Sequence, residues 1–311
     1  MYESHRWYLV GMTEMTEDRS SSGRRTWSTW LLGVTATVIA VVVIAGCADS
    51  AGKRYDPYMS DEAVVEQSVF AWPRGKRVAV SLTFDDARLS QADVGLAVLD
   101  RHDVKATFYV LPGGVEKRLE VWKKAVAGGH EIGNHTLVHP CSGNFTWSRA
   151  KALEDYDLAK ITDDIDAASR RIETLLGVKP TTFAYPCGQT FVGRGVNTQS
   201  YVPVVAERFI VGRGAFDEIG SDPAYCDLSQ ATGISIDEMD FTEAKALIEQ
   251  AHTEGRWLIL FAHEVGDKAR QTVPTETLEA ICRYAEDPAN GVWIDTVEAI
   301  AKYVVEHRQN N

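Results

Sequence analysis

Asp85 and Asp86 stand at the end of an apolar, β-branched run that begins at Val78. A run of this length bounded by polar residues predicts a buried strand. Side chains alternate along a strand, so two adjacent carboxylates can share one mouth only where the strand ends. Barrel enzymes keep their chemistry at such ends, whereas a helix N-cap needs only one Asp. The pair is therefore a candidate for acid–base or metal chemistry, with a helix cap as the alternative.

His135 and His139 are four residues apart, and on a helical turn this spacing places both imidazoles on one face. Two ordinary surface histidines are the alternative interpretation. Asp86 can complete a set of two histidines and one carboxylate, which leaves coordination positions open for water and substrate. We therefore predict a divalent metal, with zinc as the first choice and cobalt, nickel or iron as others that suit these ligands.

His263 and Cys187 are further candidates for catalytic roles at the ends of predicted strands. His263 follows the apolar run 257–262 and can give a proton to a leaving amine or alcohol. The turn that contains Cys187 offers a backbone N–H to an oxyanion. Asp85, beside the ligand Asp86, can accept a proton from a water that the metal activates. Base, acid and metal at separate strand ends predict a hydrolase of amide or ester bonds.

Apolar runs and helical periods alternate from residue 76 onward, which predicts parallel βαβ units. The predicted strands are 78–86, 105–111, 130–134, 181–185, 207–211, 257–262 and 292–294. The predicted helices are 89–102, 115–127, 149–176, 241–253, 275–286 and 296–307. Three of the strands end in polar clusters, and such ends converge on one mouth in a barrel. We therefore expect an α/β barrel rather than an open sheet.

Four short motifs occur in a fixed order along residues 76–305. They are Thr83–Asp86, His135-x-x-x-His139, Tyr185–Pro186 and Phe261–His263. In this order they resemble the motifs of the polysaccharide deacetylases with NodB homology, carbohydrate esterase family four. The resemblance implies a distorted (β/α)7 barrel and a metal, usually zinc, at Asp86, His135 and His139. It also implies Asp85 as base, His263 as acid, and removal of acetyl groups from chitin, chitooligosaccharides, peptidoglycan or acetylxylan.

Three positions depart from the pattern of that family. Ala184 stands where the family usually has an Arg that pairs with the base, and we hypothesise that Arg213 from the next strand fills this role; a surface Arg is the alternative. The family's Asp that tunes the acid His has no clear match, with Asp217 and Asp240 as weak candidates. Cys187 replaces a Tyr, which changes the wall of the site but keeps the backbone N–H.

Several residues near the motifs are candidates for binding the substrate. Tyr185 and Pro186 belong to the third motif, and Trp147 follows the histidine pair. The aromatic residues that could stack on sugar rings are Trp147, Phe145, Phe191 and Tyr201. A residue of this kind more often simply packs in the core or in a loop, because aromatic side chains make up much of most cores.

The first 47 residues predict a secretory signal rather than a part of the fold. Arg24 and Arg25 precede an uncharged stretch from Thr26 to Gly46, and Cys47 follows as in a bacterial lipobox, where it would be lipidated. An uncleaved membrane anchor is the alternative. Residues 48–75 predict a linker and residues 76–307 a single catalytic domain. Either interpretation of the leader predicts an extracytoplasmic protein, attached to the membrane or secreted.

Four cysteines remain besides Cys47, an even number that allows one or two disulfides in an oxidising compartment. Cys141 and Cys187 are expected to be neighbours, because the former follows the metal-ligand motif and the latter the third motif. Whether they bond stays open at this point, and buried free thiols are the alternative.

The formal net charge of −12 argues against nucleic acid and against an anionic membrane surface as partners. It fits a neutral or cationic substrate.

The motifs and the leader together predict a membrane-attached, metal-dependent deacetylase of an acetylated polysaccharide or oligosaccharide. The alternatives are a C–N hydrolase of a small amide on the same site and a carbohydrate-binding protein without catalysis.

Overall fold

Strand β1 (Val78–Asp85) lies at the centre of a parallel sheet and is buried along its whole length. The computed structural model describes residues 70–267 and 269–308. Within these residues eight strands form the sheet: β1, β2 (Thr107–Val110), β3 (Glu131–Asn134), β4 (Thr182–Ala184), β5 (Val211–Arg213), β6 (Ile234–Ser235), β7 (Trp257–Ala262) and β8 (Val292–Ile294). Burial on both faces explains why apolar residues predominate in β1.

The strand order is β5-β4-β3-β2-β1-β7-β6, and every neighbouring pair is parallel. Strand β7 pairs with β1 along most of its length, while on the other side β8 pairs with the start of β1 and β2 with its end. A bridge between Arg213 and Ala231 joins β5 to the segment that leads into β6. The sheet therefore curls back on itself, and the predicted distorted α/β barrel is confirmed.

The described residues contain six longer helices, the last of which follows β8: α1 (Leu96–Arg101), α2 (Leu119–Ala127), α3 (Leu158–Leu176), α4 (Phe241–Thr253), α5 (Thr275–Glu286) and α6 (Val297–Arg308). A π-helical turn (Gln91–Gly95) precedes α1, and two short helices cover Pro112–Val115 and Val202–Ala206. Two small strand pairs, Phe191–Val192 with Gln199–Ser200 and Glu264–Gly266 with Thr272–Pro274, lie outside the main sheet.

The helix predicted from residue 149 begins only at Leu158. The side chain of Asp157 accepts a hydrogen bond from the backbone N–H of Lys160 and caps α3, as an N-terminal Asp does. Residues 146–155 form 3-10 turns instead. In this stretch the Glu154 carboxylate accepts hydrogen bonds from Ser142 Oγ and the N–H of Gly143, which hold the segment against the loop after β3. The helical periodicity of the sequence from residue 149 did not reveal this tertiary contact.

The core packs both faces of β1. Leu82 and Phe84 belong to a large cluster in which the Phe84 and Phe108 rings stack at 5.2 Å and Trp122 meets Phe108 edge-on at 5.1 Å. All of these side chains are fully buried. Burial of each such side chain contributes about 1.5–3 kcal/mol, which makes β1 a rigid support for the carboxylates at its end.

The folded region begins before residue 76. Phe70 and Trp72, at the end of the predicted linker, are buried, and Trp72 Nε1 donates to the carbonyl of Gly255. The predicted signal segment 1–47, the lipidation of Cys47 and linker residues 48–69 lie outside the described residues. Among residues 70–267 and 269–308, no helix has the length and apolar character needed to cross a membrane.

Candidate active site

Asp85 and Asp86 both face one cleft because the chain turns sharply where β1 ends. The backbone φ angles of Asp86 and Ala87 are 76° and 53°, in the left-handed region that β-strand residues do not occupy. Gly114 allows the tight approach of the next loop, since a Cβ there would lie 2.8 Å from the carbonyl oxygens of Asp86 and Ala87. The side chain of Gln91 donates to the carbonyls of Asp85 and His263, both at 2.6 Å, and so ties the ends of β1 and β7 together.

His135 and His139 lie on a loop, so the predicted helical turn is wrong. Thr136 and His139 have φ angles of 69° and 54°. Asn134 Oδ1 accepts from the N–H of Thr136 at 2.7 Å, and Thr136 Oγ1 accepts from the N–H of His139 at 3.0 Å. Such side-chain bonds offer the backbone an alternative to the helix. The loop nevertheless turns both imidazoles toward Asp86.

The residues of the predicted metal set fit a divalent ion. Asp86 Oδ1 lies 3.7 Å from His135 Nε2 and 3.6 Å from His139 Nε2. Ligand atoms around a tetrahedral zinc with bonds of about 2.0–2.1 Å are about 3.3 Å apart, close to these distances. His135 Nδ1 is 2.8 Å from the carbonyl of Ala184, which places the proton on Nδ1 and leaves Nε2 free to bind a metal.

The electrostatics of this set also suit metal binding. Burial and the neighbouring His135 lower the pKa of His139 to about 4, so this imidazole is neutral at neutral pH. Burial opposes ionisation of Asp86, but His135, His139 and Arg88 outweigh it and hold its pKa below the ordinary value. Arg88, which sequence reasoning missed, donates to Asp86 Oδ2 through Nε at 3.0 Å.

Asp85 forms a buried ion pair with Arg213, at the end of β5. Arg213 Nη2 lies 2.5 and 2.6 Å from the two carboxylate oxygens, and the side chain of Arg213 is fully buried. Burial opposes ionisation of Asp85, but Arg213 and the nearby histidines keep its pKa below the ordinary value. Ala184 and Arg213 are direct partners in the β4–β5 register. Arg213 therefore contacts Asp85 from β5, which agrees with the hypothesised pairing, while its catalytic role stays a prediction.

His263 is paired with Asp237, so the candidates Asp217 and Asp240 are both wrong. His263 Nδ1 lies 2.6 Å from Asp237 Oδ2, and Asp237 Oδ1 accepts from the N–H of His263. Burial alone would lower the pKa of His263, but Asp237, Asp85 and Asp86 outweigh burial and raise it. Asp217 instead accepts from the N–H of Gly233, and Asp240 caps α4.

Asp237 carried a signal that sequence reasoning passed over. It follows the short apolar stretch that contains β6, just as Asp85 ends β1. Strand β6 has only two residues, Ile234 and Ser235, which is too short for a period-2 pattern to predict. Its parallel pairing with β7 brings Asp237 beside His263.

Cys141 and Cys187 form a disulfide bond, which the sequence had left open. Cys226 and Cys282 are free. The disulfide joins the loop of His139 to the turn after β4, and Cys141 Sγ lies 3.6 Å from His139 Nδ1. His139, Cys141 and Cys187 also cluster closely enough to hold a metal, but bonded sulfurs are not thiolate ligands.

A cleft of about 1080 Å³ contains these groups. Its walls include Asp85, Asp86, His135, His139, Tyr185, Cys187, His263, Phe145, Trp147 and Phe216. Of the predicted ring-stacking residues, Trp147 and Phe145 line the cleft and are 57% and 42% exposed. Sequence reasoning missed Phe216, which is also exposed there.

The other predicted substrate-binding residues are more deeply placed. Tyr185 reaches the cleft wall but is almost fully buried, and its hydroxyl donates to the carbonyl of Ser229. Pro186 is buried beneath the wall. Tyr201 is fully buried in the core, and Phe191 packs against the same cluster. These last two aromatic residues therefore pack within the fold and do not line the cleft.

Comparisons with known proteins agree with the motifs. Residues 73–198 match the family model of polysaccharide deacetylases. The chain is 30% identical over 165 residues to the peptidoglycan-N-acetylglucosamine deacetylase PgdA of Listeria monocytogenes, covering 53% of this chain and 31% of that protein. It is 37% identical over 98 residues to a chitooligosaccharide deacetylase of Bradyrhizobium, covering 31% of this chain and 39% of that protein. Both alignments thus span less than two thirds of the relative's length.

A solved structure shares the fold. A Mycobacterium smegmatis protein assigned to the polysaccharide deacetylases aligns with a TM-score of 0.56 and 18% identity, over 76% of this chain and 93% of that one. At this identity the likeness concerns the fold alone. The family match over residues 73–198, which include Asp85, Asp86, His135 and His139, shows that this part of the chain resembles the polysaccharide deacetylases.

Proposed function

We propose that this protein is a metal-dependent hydrolase that removes acetyl groups from a polysaccharide or oligosaccharide at the cell envelope. The observation that carries the proposal is that a carboxylate and an imidazole, a candidate base and a candidate acid, lie beside the ligand set of Asp86, His135 and His139. A carboxylate held ionised by Arg213 lies on one side of this ligand set. An imidazole whose pKa is raised by Asp237 lies in the same cleft. A base and an acid beside one metal set suit acyl transfer to water.

A divalent ion held by Asp86, His135 and His139, zinc in the first place, would supply Lewis-acid chemistry, polarising the acetyl carbonyl and lowering the pKa of water. Cobalt, nickel and iron suit the same ligands. Because zinc bound by three protein ligands keeps a position open, this set is of the catalytic rather than the structural kind.

Asp85 acts as the base in this proposal. Its Oδ2 lies 4.0 Å from His135 Nε2, so this oxygen faces the ligand set and can accept a proton from the attacking water. Arg213 keeps the carboxylate ionised and fixed in direction. The guanidinium is itself held between the rings of Tyr109 and Phe261, with its Cζ 5.1 and 4.7 Å from their centroids.

His263 acts as the acid. Its Nδ1 is engaged by Asp237, so Nε2 is the atom that gives a proton to the leaving amine or alcohol. The backbone N–H of Cys187, on the turn after β4, is the proposed donor to the oxyanion. The cleft supports a polymeric substrate over a small amide, because exposed Trp147 and Phe145 extend it beyond the acid–base pair.

The location at the envelope rests on the N-terminal sequence alone. Lipidation at Cys47, or an uncleaved anchor, would attach the domain to the membrane. The names of the relatives, a peptidoglycan deacetylase and a chitooligosaccharide deacetylase, support an acetylated glycan as the substrate.

Acetate release by the full-length protein tests the proposal. The panel contains chitooligosaccharides, peptidoglycan and acetylated xylan, each with and without a chelator, and with Asp85→Asn alongside. We expect release from at least one glycan, abolished both by the chelator and by Asp85→Asn. Release that persists in the chelator would refute the metal dependence. If metal-loaded protein releases no acetate, the small-amide hydrolase is favoured. If the protein binds no metal and releases no acetate, a binding protein is favoured.

A further inference from the structure

The cleft has a charge opposite to that of the chain as a whole. The chain carries a formal net charge of −12. Four basic side chains nevertheless line the cleft, and we name them the cationic rim: Arg88, Lys117, Lys151 and Arg270. Three carboxylates line it as well: Asp85, Asp86 and Glu264.

Cations already neutralise these carboxylates. Arg213, directly behind the cleft wall, pairs with Asp85. Arg88 lies 2.9 Å from Asp86 Oδ2 and 3.5 Å from Glu264 Oε1. With Arg213 counted, five cationic side chains face three carboxylates, and a divalent metal would add further positive charge. A concave surface with a net positive charge focuses its field on the ligand, so the cleft attracts anions.

Two members of the cationic rim, Lys117 and Arg270, have side chains without a polar partner in the part of the chain that the structure describes. Lys151 donates to the carbonyl of Val138 and lies 5.7 Å from the ring centroid of Trp147. Within residues 70–267 and 269–308, by contrast, the side chains of Lys117 and Arg270 make no hydrogen bond or ion pair, and both are exposed.

The positions of these two side chains follow from the strand order. Lys117 lies on a 3-10 turn soon after β2, and Arg270 lies between the short strands Glu264–Gly266 and Thr272–Pro274, after β7. Strands β2 and β7 are the two neighbours of β1 at its carboxyl end. Lys117 and Arg270 therefore follow strands on either side of the one that ends in Asp85.

We propose that the cleft selects a glycan that carries carboxylate groups near its acetylated sugar, and that Lys117 and Arg270 bind these carboxylates. A guanidinium and an ammonium pair with carboxylates by charge-assisted hydrogen bonds. A neutral glycan such as chitin leaves both side chains unused. This inference rests on the proposed deacetylase function, and it replaces the neutral or cationic substrate that the net charge alone indicated.

The test uses two forms of one substrate. A soluble, acetylated peptidoglycan fragment that carries carboxylates is compared with the same fragment after its carboxylates are converted to amides. The metal-loaded full-length protein is assayed for acetate release at low and high salt. The variants are Lys117→Glu and Arg270→Glu. The matched control is Lys124→Glu, the same charge change on an exposed Lys of α2 that does not line the cleft.

We expect wild-type kcat/KM to favour the carboxylate form, chiefly through KM, and the preference to shrink at high salt. Each rim reversal should lower kcat/KM for the carboxylate form roughly threefold to tenfold more than for the amide form, as befits exposed ion pairs. Lys124→Glu should leave the preference unchanged. Equal wild-type activity on both forms, or rim reversals that lower kcat/KM equally for the carboxylate form and the amide form, would overturn the inference.

A binding titration separates this inference from the proposed function. Asp85→Asn protein is titrated with both fragments and followed by tryptophan fluorescence, since Trp147 lies in the cleft. Tighter binding of the carboxylate form without any acetate release from wild-type protein would support the cationic rim and refute the deacetylase. Acetate release with equal binding of both forms would support the deacetylase and refute the cationic rim.

Discussion

Arg213→Met tests whether a buried ion pair controls Asp85, the proposed base. The change removes the guanidinium 2.5–2.6 Å from the Asp85 carboxylate and keeps an unbranched apolar side chain in its place. Asp85 is only 4% exposed, so water cannot replace the lost partner. Removing one member of a buried pair costs about 3–5 kcal/mol, because the other charge stays buried and unpaired.

The direction of the pH effect follows from the pKa of Asp85, which differs between the wild-type protein and Arg213→Met. In the wild-type fold its pKa lies below the ordinary value of 3.8, because Arg213 and the histidines outweigh burial. The pair therefore contributes stability that is present above that value and is lost as the pH falls through the folded pKa. In Arg213→Met burial prevails, so the pKa of Asp85 rises and the acidic limb of the kcat/KM profile moves to higher pH. The loss of an ionised base lowers kcat/KM about 100-fold at neutral pH.

The assay combines the pH dependence of kcat/KM with urea unfolding at neutral pH. Arg171→Met is the matched control, because Arg171 pairs with Glu116 on the surface, where an ion pair contributes at most about 1 kcal/mol. Arg213→Lys keeps the charge and should recover part of the activity. An Arg213→Met protein with the wild-type acidic limb and the wild-type unfolding midpoint would refute the role assigned to Arg213.

Three further changes probe the rest of the site. Asp237→Asn removes the group that raises the pKa of His263, so the basic limb of the pH–rate profile should move to lower pH; an unmoved limb would exclude His263 as the acid. His135→Ala should lower the bound metal measured by elemental analysis, whereas His102→Ala should not, because His102 pairs with Glu286 and does not line the cleft; equal metal in both variants would contradict the ligand set. Cys141→Ser opens a disulfide with a sequence separation of 46 residues and should cost about 2–4 kcal/mol in urea unfolding, and an unchanged midpoint would show that the bond adds nothing.

Local patterns predicted the elements that carry chemistry. The structure has β7 at Trp257–Ala262 and α4 at Phe241–Thr253 as predicted, and β1 ends at Asp85, one residue before its predicted end. The motif order indicated the resemblance to polysaccharide deacetylases. These features depend on side-chain periodicity and on residue type within a few positions, which a single sequence carries in full.

Contacts across the sheet were harder to predict. Arg213 was named only by analogy with the missing Arg at position 184, and the β4–β5 register is what makes the two positions equivalent. Asp237 was missed because its strand has two residues and its partner, His263, is 26 positions away. Register and short strands depend on tertiary packing, which local patterns do not encode.

The sequence by itself determined which strand ends carry the candidate acid, base and ligand residues, because those residue types lie beside strong strand signals. Only the tertiary structure decided that His135 and His139 converge from a loop, that Cys141 bonds to Cys187, and that basic side chains gather in the cleft of an acidic chain. The physical reason is the same in each case. These properties belong to distances between residues far apart in the chain, and those distances follow from how the barrel packs rather than from any local run of residues.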